Sequence, residues 1–365
     1  MNNFVVGGMN EDRRAEHLPV MQLASAAESA GLFYVQDDEP GFRRKCQGRG
    51  FGYFDPHGNL VRDGALRERF KALGIPPAWT DVWICLDADG HIQATGRDEK
   101  GRKQYIYHPR WNEIRNQAKF ERILMVGEAL PQLRARVEED LVRRSLSREK
   151  VVAIVVRLLE ETLIRIGNPE YARNNSSYGL TTLRNEHLEI SGSRLRFVFQ
   201  GKSGKQVEID LLDRRLARMV RRCQELPGQR LFQYIGENGE FQVVTSSDVN
   251  RYLRGLTGQD FTAKDFRTWG ATVLCLQELQ RLGPAETEKQ AQKNVVQAIK
   301  TVASALVNTP TICRKYYVHP AIIQAYLDGS LFTLLPQPEA QDGYAVNEQD
   351  AAEAAVVTLL RRKEV

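Results

Sequence analysis

The feature that most constrains this chain is a change of texture near Pro109. From about 33 to 107, short strand-like pieces (Phe51-Gly52-Tyr53-Phe54, Val82-Trp83-Ile84-Cys85, Tyr105-Ile106-Tyr107) alternate with turn signals such as Asp55-Pro56-His57-Gly58, Pro76-Pro77 and Asp87-Ala88-Asp89-Gly90. Beyond Pro109 the pattern is helical: Arg110 to about Ser145 is heavily charged, and Val151 to Ile166 carries apolar residues at helical spacing. With 365 residues there is chain enough for two separate cores. The expected fold class is α+β. A strand-rich N-terminal domain (1–109), opened by an amphipathic helix over 18–31, leads through a hinge (110–118) to a mainly helical domain (119–335). A polar linker (QPEAQDG) and an Ala-rich helix complete the chain over 336–365.

Composition narrows the function classes. The chain is 42% hydrophobic and 27% charged, ordinary for a globular protein. A net charge of +5 is too small to reveal a polyanion partner by itself, so the placement of the 51 basic residues matters more. Five scattered cysteines without a C-x-x-C pair argue against a disulfide framework and against zinc, and suit a reducing cytosol. The charged start (Glu11 to Arg14) lacks an apolar h-region, and no run of 18 apolar residues exists. Neither a signal peptide nor a membrane span is expected.

One hairpin interrupts the helical domain. Leu195, Phe197 and Phe199 alternate before Gly201-Lys202-Ser203-Gly204-Lys205, and Val207, Ile209 and Leu211 alternate after it. The tip is no phosphate-binding P-loop, because Arg196 stands where the first glycine is required and both flanks are strands. No nucleotide cofactor is expected. Lys202 reads as a solvated turn residue or as a mobile lysine able to enter a site from above. Arg165, at the end of an apolar helix before Gly167, reads as a cation on the helix dipole or as an anion ligand. Arg267, early in a helix opened by Thr262 and Asp265, sits where the dipole disfavours it, and a guanidinium suits phosphate oxygens. Thr95 to Tyr107 interleaves cations with aromatics: an edge strand guarded by charge, or a nucleic-acid surface on which Gln104 reads bases. Near the C-terminus, Arg314-Lys315-Tyr316-Tyr317 follows an Asn308-Thr309-Pro310. A phenol becomes a nucleophile only with cations about it, since its pKa is near 10.

In order, Arg165, Lys202, Arg267, Asn308 and Tyr317 resemble the active-site set of the type IB DNA topoisomerases, in the compact branch akin to the poxvirus enzyme. The resemblance covers roughly residues 20 to 335. It rests on Gly96 to Tyr107, Tyr178 to Leu183, Gly201 to Gly204, Leu226 to Gln229, Thr262 to Trp269 and Asn308 to Pro320. It implies that Tyr317 attacks a phosphodiester and retains the 3′-phosphate, that Arg165 and Arg267 hold the non-bridging oxygens, and that Lys202 protonates the leaving 5′-oxygen. Asn308 stands where relatives carry histidine; it can donate a hydrogen bond but supplies no charge. Family register, not geometry, selects Tyr317 over Tyr316. The resemblance further assigns DNA contacts to Arg97, Lys103, Gln104, Tyr105, Tyr107, Tyr178, Lys205, Arg314 and Lys315. It implies duplex DNA as partner, a monomeric C-clamp, a cytoplasmic place on the nucleoid, and no metal or other cofactor. Tyrosine recombinases, the nearest alternative, resemble one another in a His-x-x-Arg where this chain reads Lys264-Asp265-Phe266-Arg267. A DNA-binding protein with Tyr317 as mere core is the alternative of another class.

Overall fold

The computed structural model describes residues 20–48, 50–334 and 348–362. The charged start, the QPEAQDG linker and Lys363 lie outside them. The chain divides into two compact units, Met1–Lys119 and Phe120–Val365.

In the first unit, α1 (Val20–Ser29) precedes β1 (Gly41–Gln47), β2 (Gly50–Phe54), α2 (Gly64–Ala72), β3 (Thr80–Cys85), β4 (Ile92–Arg97) and β5 (Lys103–Tyr107). The strands form one antiparallel sheet in the order β2-β1-β3-β4-β5. Phe42, Val82, Ile84, Ala94 and Ile106 turn to one face and bury Phe70 of α2 against them. The basic run 95–107 is a hairpin, not one strand. Asp98 organises its turn, accepting from the backbone N–H groups of Lys100 and Arg102 (both 3.0 Å) and from Arg102 Nε (2.8 Å). β5 is then an edge strand, as its charge pattern leads one to expect. Residues 110–118, expected as a hinge, form the opening turns of a 33-residue helix, α3 (Pro109–Leu141).

The second unit is helical around two small sheets. α4 (Arg148–Thr162) is the central helix, with Val151 to Val156 all buried. α5 (Pro169–Asn175) precedes a three-stranded antiparallel sheet of β6 (Leu188–Ser191), β7 (Arg194–Gln200) and β8 (Gln206–Leu212). The expected alternation is met: Leu195 pairs Leu211, Phe197 pairs Ile209 and Phe199 pairs Val207 on the core face. Hydrophobic alternation alone did not mark β6, or the short hairpin of β9 (Gln233–Ile235) and β10 (Phe241–Val243) that comes after α6 (Arg214–Gln224). The remaining helices are α7 (Ser246–Thr257), α8 (Ala263–Leu282), α9 (Glu288–Ala305), α10 (Pro310–Tyr316), α11 (Pro320–Leu327), α12 (Leu331–Leu334) and α13 (Glu348–Arg361).

The Ala-rich C-terminal helix α13 belongs to this core. Its Ala352, Ala355, Val356, Leu359 and Leu360 are buried, and the small residues allow close approach to α8. Glu353 accepts from both terminal nitrogens of Arg134 on α3 (2.9 and 2.8 Å), and Arg134 Nε also donates to Glu160 of α4 (2.5 Å). A bidentate pair of this kind fixes orientation as well as contact. At Gly127 of α3, an added Cβ would lie 2.3 Å from the Trp269 ring and 3.0 Å from Val357. Gly127→Ala should therefore lower the melting temperature: overpacking costs about 1–3 kcal/mol against about 1 kcal/mol gained in helix propensity. A melting temperature above the parent's would show that Trp269 and α13 yield freely there.

Candidate active site

Three interrupted helices bring the site together. α4 stops at Leu163, whose backbone is left-handed (φ 52°), with its N–H on the Leu159 carbonyl (3.1 Å). Arg165 thus lies in an extended loop beyond the helix, which corrects the placement of that cation in a last helical turn. The loop is pinned by Leu180 N–H on the Arg165 carbonyl (2.9 Å) and Thr181 N–H on that of Ile166 (2.7 Å). Gly179 is required for that approach, since a Cβ there would sit 2.4 Å from the Arg165 oxygen. This explains the Tyr178-Gly179-Leu180-Thr181 run.

Arg267 projects from the second turn of α8. The Asp265 carboxylate accepts from Thr262's N–H and hydroxyl (both 2.8 Å) and fixes the start of the helix. The guanidinium is buried, at 5% exposure, and donates to the Leu306 carbonyl (2.9 Å) and the Leu163 carbonyl. Both acceptors are freed by chain reversals, Leu163 after α4 and Leu306 after α9, where Val307 turns left-handed (φ 50°). Asn308 comes next, and its Oδ1 accepts from Arg165 Nη2 (2.9 Å). Turning the amide over would face two donors at each other, so the cation dictates its orientation. Asn308 Nδ2 and Arg267 Nε are left buried without a hydrogen-bond partner. Among the described residues no carboxylate pairs with Arg165 or Arg267, so the cluster is short of negative charge.

Tyr317 closes α10. The Thr272 hydroxyl, whose proton lies nearest the Thr268 carbonyl (2.8 Å) with the Tyr317 carbonyl as a longer second acceptor (3.3 Å), receives the His319 N–H (3.2 Å), so α8 positions both Arg267 and the backbone at the tyrosine. Arg267 Cζ lies 5.5 Å from the Tyr317 ring centroid, whereas Tyr316 has Lys315 Nζ over its ring at 5.4 Å. Burial raises the Tyr317 pKa, but the charges of Arg267, Arg165 and Lys264 outweigh burial and leave it below the usual 10. Burial, and then Arg165's charge, brings the Arg267 pKa down to about 10, so it stays protonated at neutral pH. Lys202 is exposed on the β7–β8 tip, held by Gly201 N–H on the Lys205 carbonyl (2.7 Å), and borders a cleft shared with Arg165, Tyr178 and Arg267. Burial, working against the charges of Arg267, Arg165 and Lys205, pushes the Cys313 thiol up to about 11.

The expected flanking contacts are placed unevenly. Arg314 and Lys315 are exposed on α10, and Tyr178 is half-buried in the cleft. On the sheet, Tyr105 and Tyr107 stack (6.0 Å between centroids, 4° apart). Arg97 faces Asp81 (3.4 Å) and Lys103 pairs Asp37 (2.6 Å). Gln104 is 7% exposed and donates to Asp98 (2.9 Å), so its amide is engaged within its own hairpin and is not presented to a base edge. The sequence reading missed Lys264 and Thr272 as site residues. Lys264 stood within the Lys264–Trp269 motif, but a helix-interior threonine gives no signal of its own.

The sequence model described as "Eukaryotic DNA topoisomerase I, catalytic core" matches residues 108–330, and "Bacterial DNA topoisomerase IB, N-terminal domain" matches 50–98. DNA topoisomerase 1B of Acanthamoeba polyphaga mimivirus is 34% identical over 291 residues, spanning 77% of this chain and 85% of that protein. This chain belongs to the type IB DNA topoisomerase family. Vaccinia virus (strain Copenhagen) DNA topoisomerase 1B is 24% identical over 280 residues, covering 73% and 83%. The XerH site-specific recombinase bound to difH aligns at TM-score 0.32 and 14% identity over 60% of this chain and 55% of that one, too loosely to bear on function. For this type IB topoisomerase family member, α13 lies beyond the span of the catalytic-core match.

Ultraviolet difference titration of the protein against Tyr317→Phe should show Tyr317 ionising below the usual phenol value near 10. Because the cations favour the charged form, Arg165→Gln should move that transition upward. A transition above 10 in the unsubstituted protein would mean that burial prevails over the cations.

Proposed function

We propose that this chain relaxes supercoiled duplex DNA by transient cleavage of one strand through Tyr317. The observation that carries the reading is a pair of arginines, Arg267 buried and Arg165 half-buried, without carboxylate partners among the described residues, beside a phenol whose ionisation they favour. The Tyr317 oxygen, its proton lost to solvent, attacks phosphorus. The bond from phosphorus to the 5′-oxygen breaks, and Lys202 gives that oxygen a proton. The product is a 3′-phosphotyrosyl bond and a 5′-hydroxyl strand end free to rotate; religation reverses each step. Arg165 and Arg267 hold the oxygens on which charge builds, and fixed cations there lower the barrier most. The unpartnered Asn308 Nδ2 adds a neutral donor for the same oxygens. The bond energy is kept in the tyrosyl linkage, so the cycle needs no nucleotide. Arg314, Lys315 and Lys205 of the helical unit, and Tyr105 and Tyr107 of the sheet, grip flanking DNA.

The purified protein should relax supercoiled plasmid in EDTA without ATP; one that shifts plasmid mobility yet never relaxes it has lost this function. Tyr317→Phe should abolish covalent attachment to DNA, while Tyr316→Phe retains it. Lys202→Ala should slow cleavage by about 10²–10⁴-fold, the usual worth of a positioned acid. A substrate with a better 5′ leaving group should restore that rate. Absence of rescue would remove Lys202 from the acid's role.

A further inference from the structure

Arg184 and Arg230 face each other across an isolated antiparallel bridge. The flanking bonds, Leu231 N–H on the Leu183 carbonyl and Asn185 N–H on the Gln229 carbonyl (both 3.0 Å), make it the non-hydrogen-bonded type, in which opposed side chains approach most closely. Like charges so placed are destabilising. Little offsets them among the described residues: Arg184 meets the exposed Glu186 at 3.5 Å, and Arg230 Nη1 donates to the neutral Thr182 carbonyl (3.0 Å). The two arginines line an open cavity of about 280 Å³ together with Arg173, Ser176 and Tyr178, and no described carboxylate lines it. Arg184 Cζ lies 5.7 Å from the Tyr178 ring centroid, and Tyr178 also borders the cleft of Arg165 and Lys202.

We infer that Arg173, Arg184 and Arg230 form a second anion site, which binds a non-scissile DNA phosphodiester beside the one being cut. Three guanidiniums with a hydroxyl suit phosphate oxygens, and an anion between Arg184 and Arg230 removes their repulsion. Tyr178 serves as the wall between the two sites. The inference rests on the cleavage reading above only for naming DNA as the source of the phosphate.

The test uses the full chain carrying Tyr317→Phe, so that binding is measured without cleavage. Affinity for a duplex oligonucleotide is followed across salt concentration, with and without Arg184→Gln plus Arg230→Gln. The double variant should bind about ten-fold more weakly, the worth of one charge-assisted phosphate contact. Its log–log salt slope should be shallower by about 0.9. In the parent, a neutral methylphosphonate at one non-scissile position should weaken binding by a similar factor and have no further effect on the double variant. Arg184→Gln alone, which gives up no backbone hydrogen bond, should show the same direction if the double variant melts early. Unchanged affinity and slope in both variants overturn the site. A flat methylphosphonate scan, with inorganic phosphate raising the parent's melting temperature, assigns the cavity to a free anion and overturns it too. Plasmid relaxation by the unsubstituted chain is scored separately. Failure there with the slope change intact removes the cleavage function and keeps the phosphate site.

Discussion

The Arg267 guanidinium, held between the carbonyls of Leu163 and Leu306, is the contact on which the rest of the helical unit's site depends. Those carbonyls belong to the chain reversals after α4 and α9, so one side chain from α8 ties three helices together. A buried charge without an opposite charge costs several kcal/mol even after relaxation. Here the compensation comes from neutral backbone oxygens, which satisfy hydrogen bonds without cancelling the charge. The cluster is thereby left positive, and an anion entering it finds cations already in place.

That arrangement explains the neighbours. Arg165 cannot approach Arg267 without repulsion unless something fixes it, and the Asn308 oxygen does so without adding charge. A carboxylate at position 308 would neutralise that cation. A neutral amide holds Arg165 and keeps one donor in reserve. The same field acts on Tyr317, where it outweighs the burial that would raise the phenol's pKa. Thr272, wholly buried on α8, links the backbone at Tyr317 and His319 to the helix that carries Arg267, so Tyr317 and the cation share one support.

Much of this was legible in the sequence where the determinant is local. The β7–β8 hairpin arises from alternation on both sides of a glycine turn, and the start of α8 from Thr262 and Asp265. The features that escaped depend on partners remote in the chain. Apolar spacing carried the α4 reading through Ile166, but Leu163 turns left-handed because Arg267 binds its carbonyl and the Gly179 loop pins Arg165 and Ile166. Gln104 looks like a base reader by type and strand position, yet Asp98, six residues earlier, claims its amide. The place of α13 hangs on Arg134, 219 residues from Glu353. Only the order of Arg165, Lys202, Arg267, Asn308 and Tyr317 made the site legible from afar, and that order is a family trait, not a consequence of spacing.

The central claim is that the arginine pair selects Tyr317, and no other phenol, as the nucleophile. Trapping the protein on cleaved DNA, digesting it and sequencing the nucleotide-linked peptide tests this most directly. The account predicts a single adduct, on Tyr317. An adduct on Tyr316, or on any residue remote from Arg165 and Arg267, would contradict it.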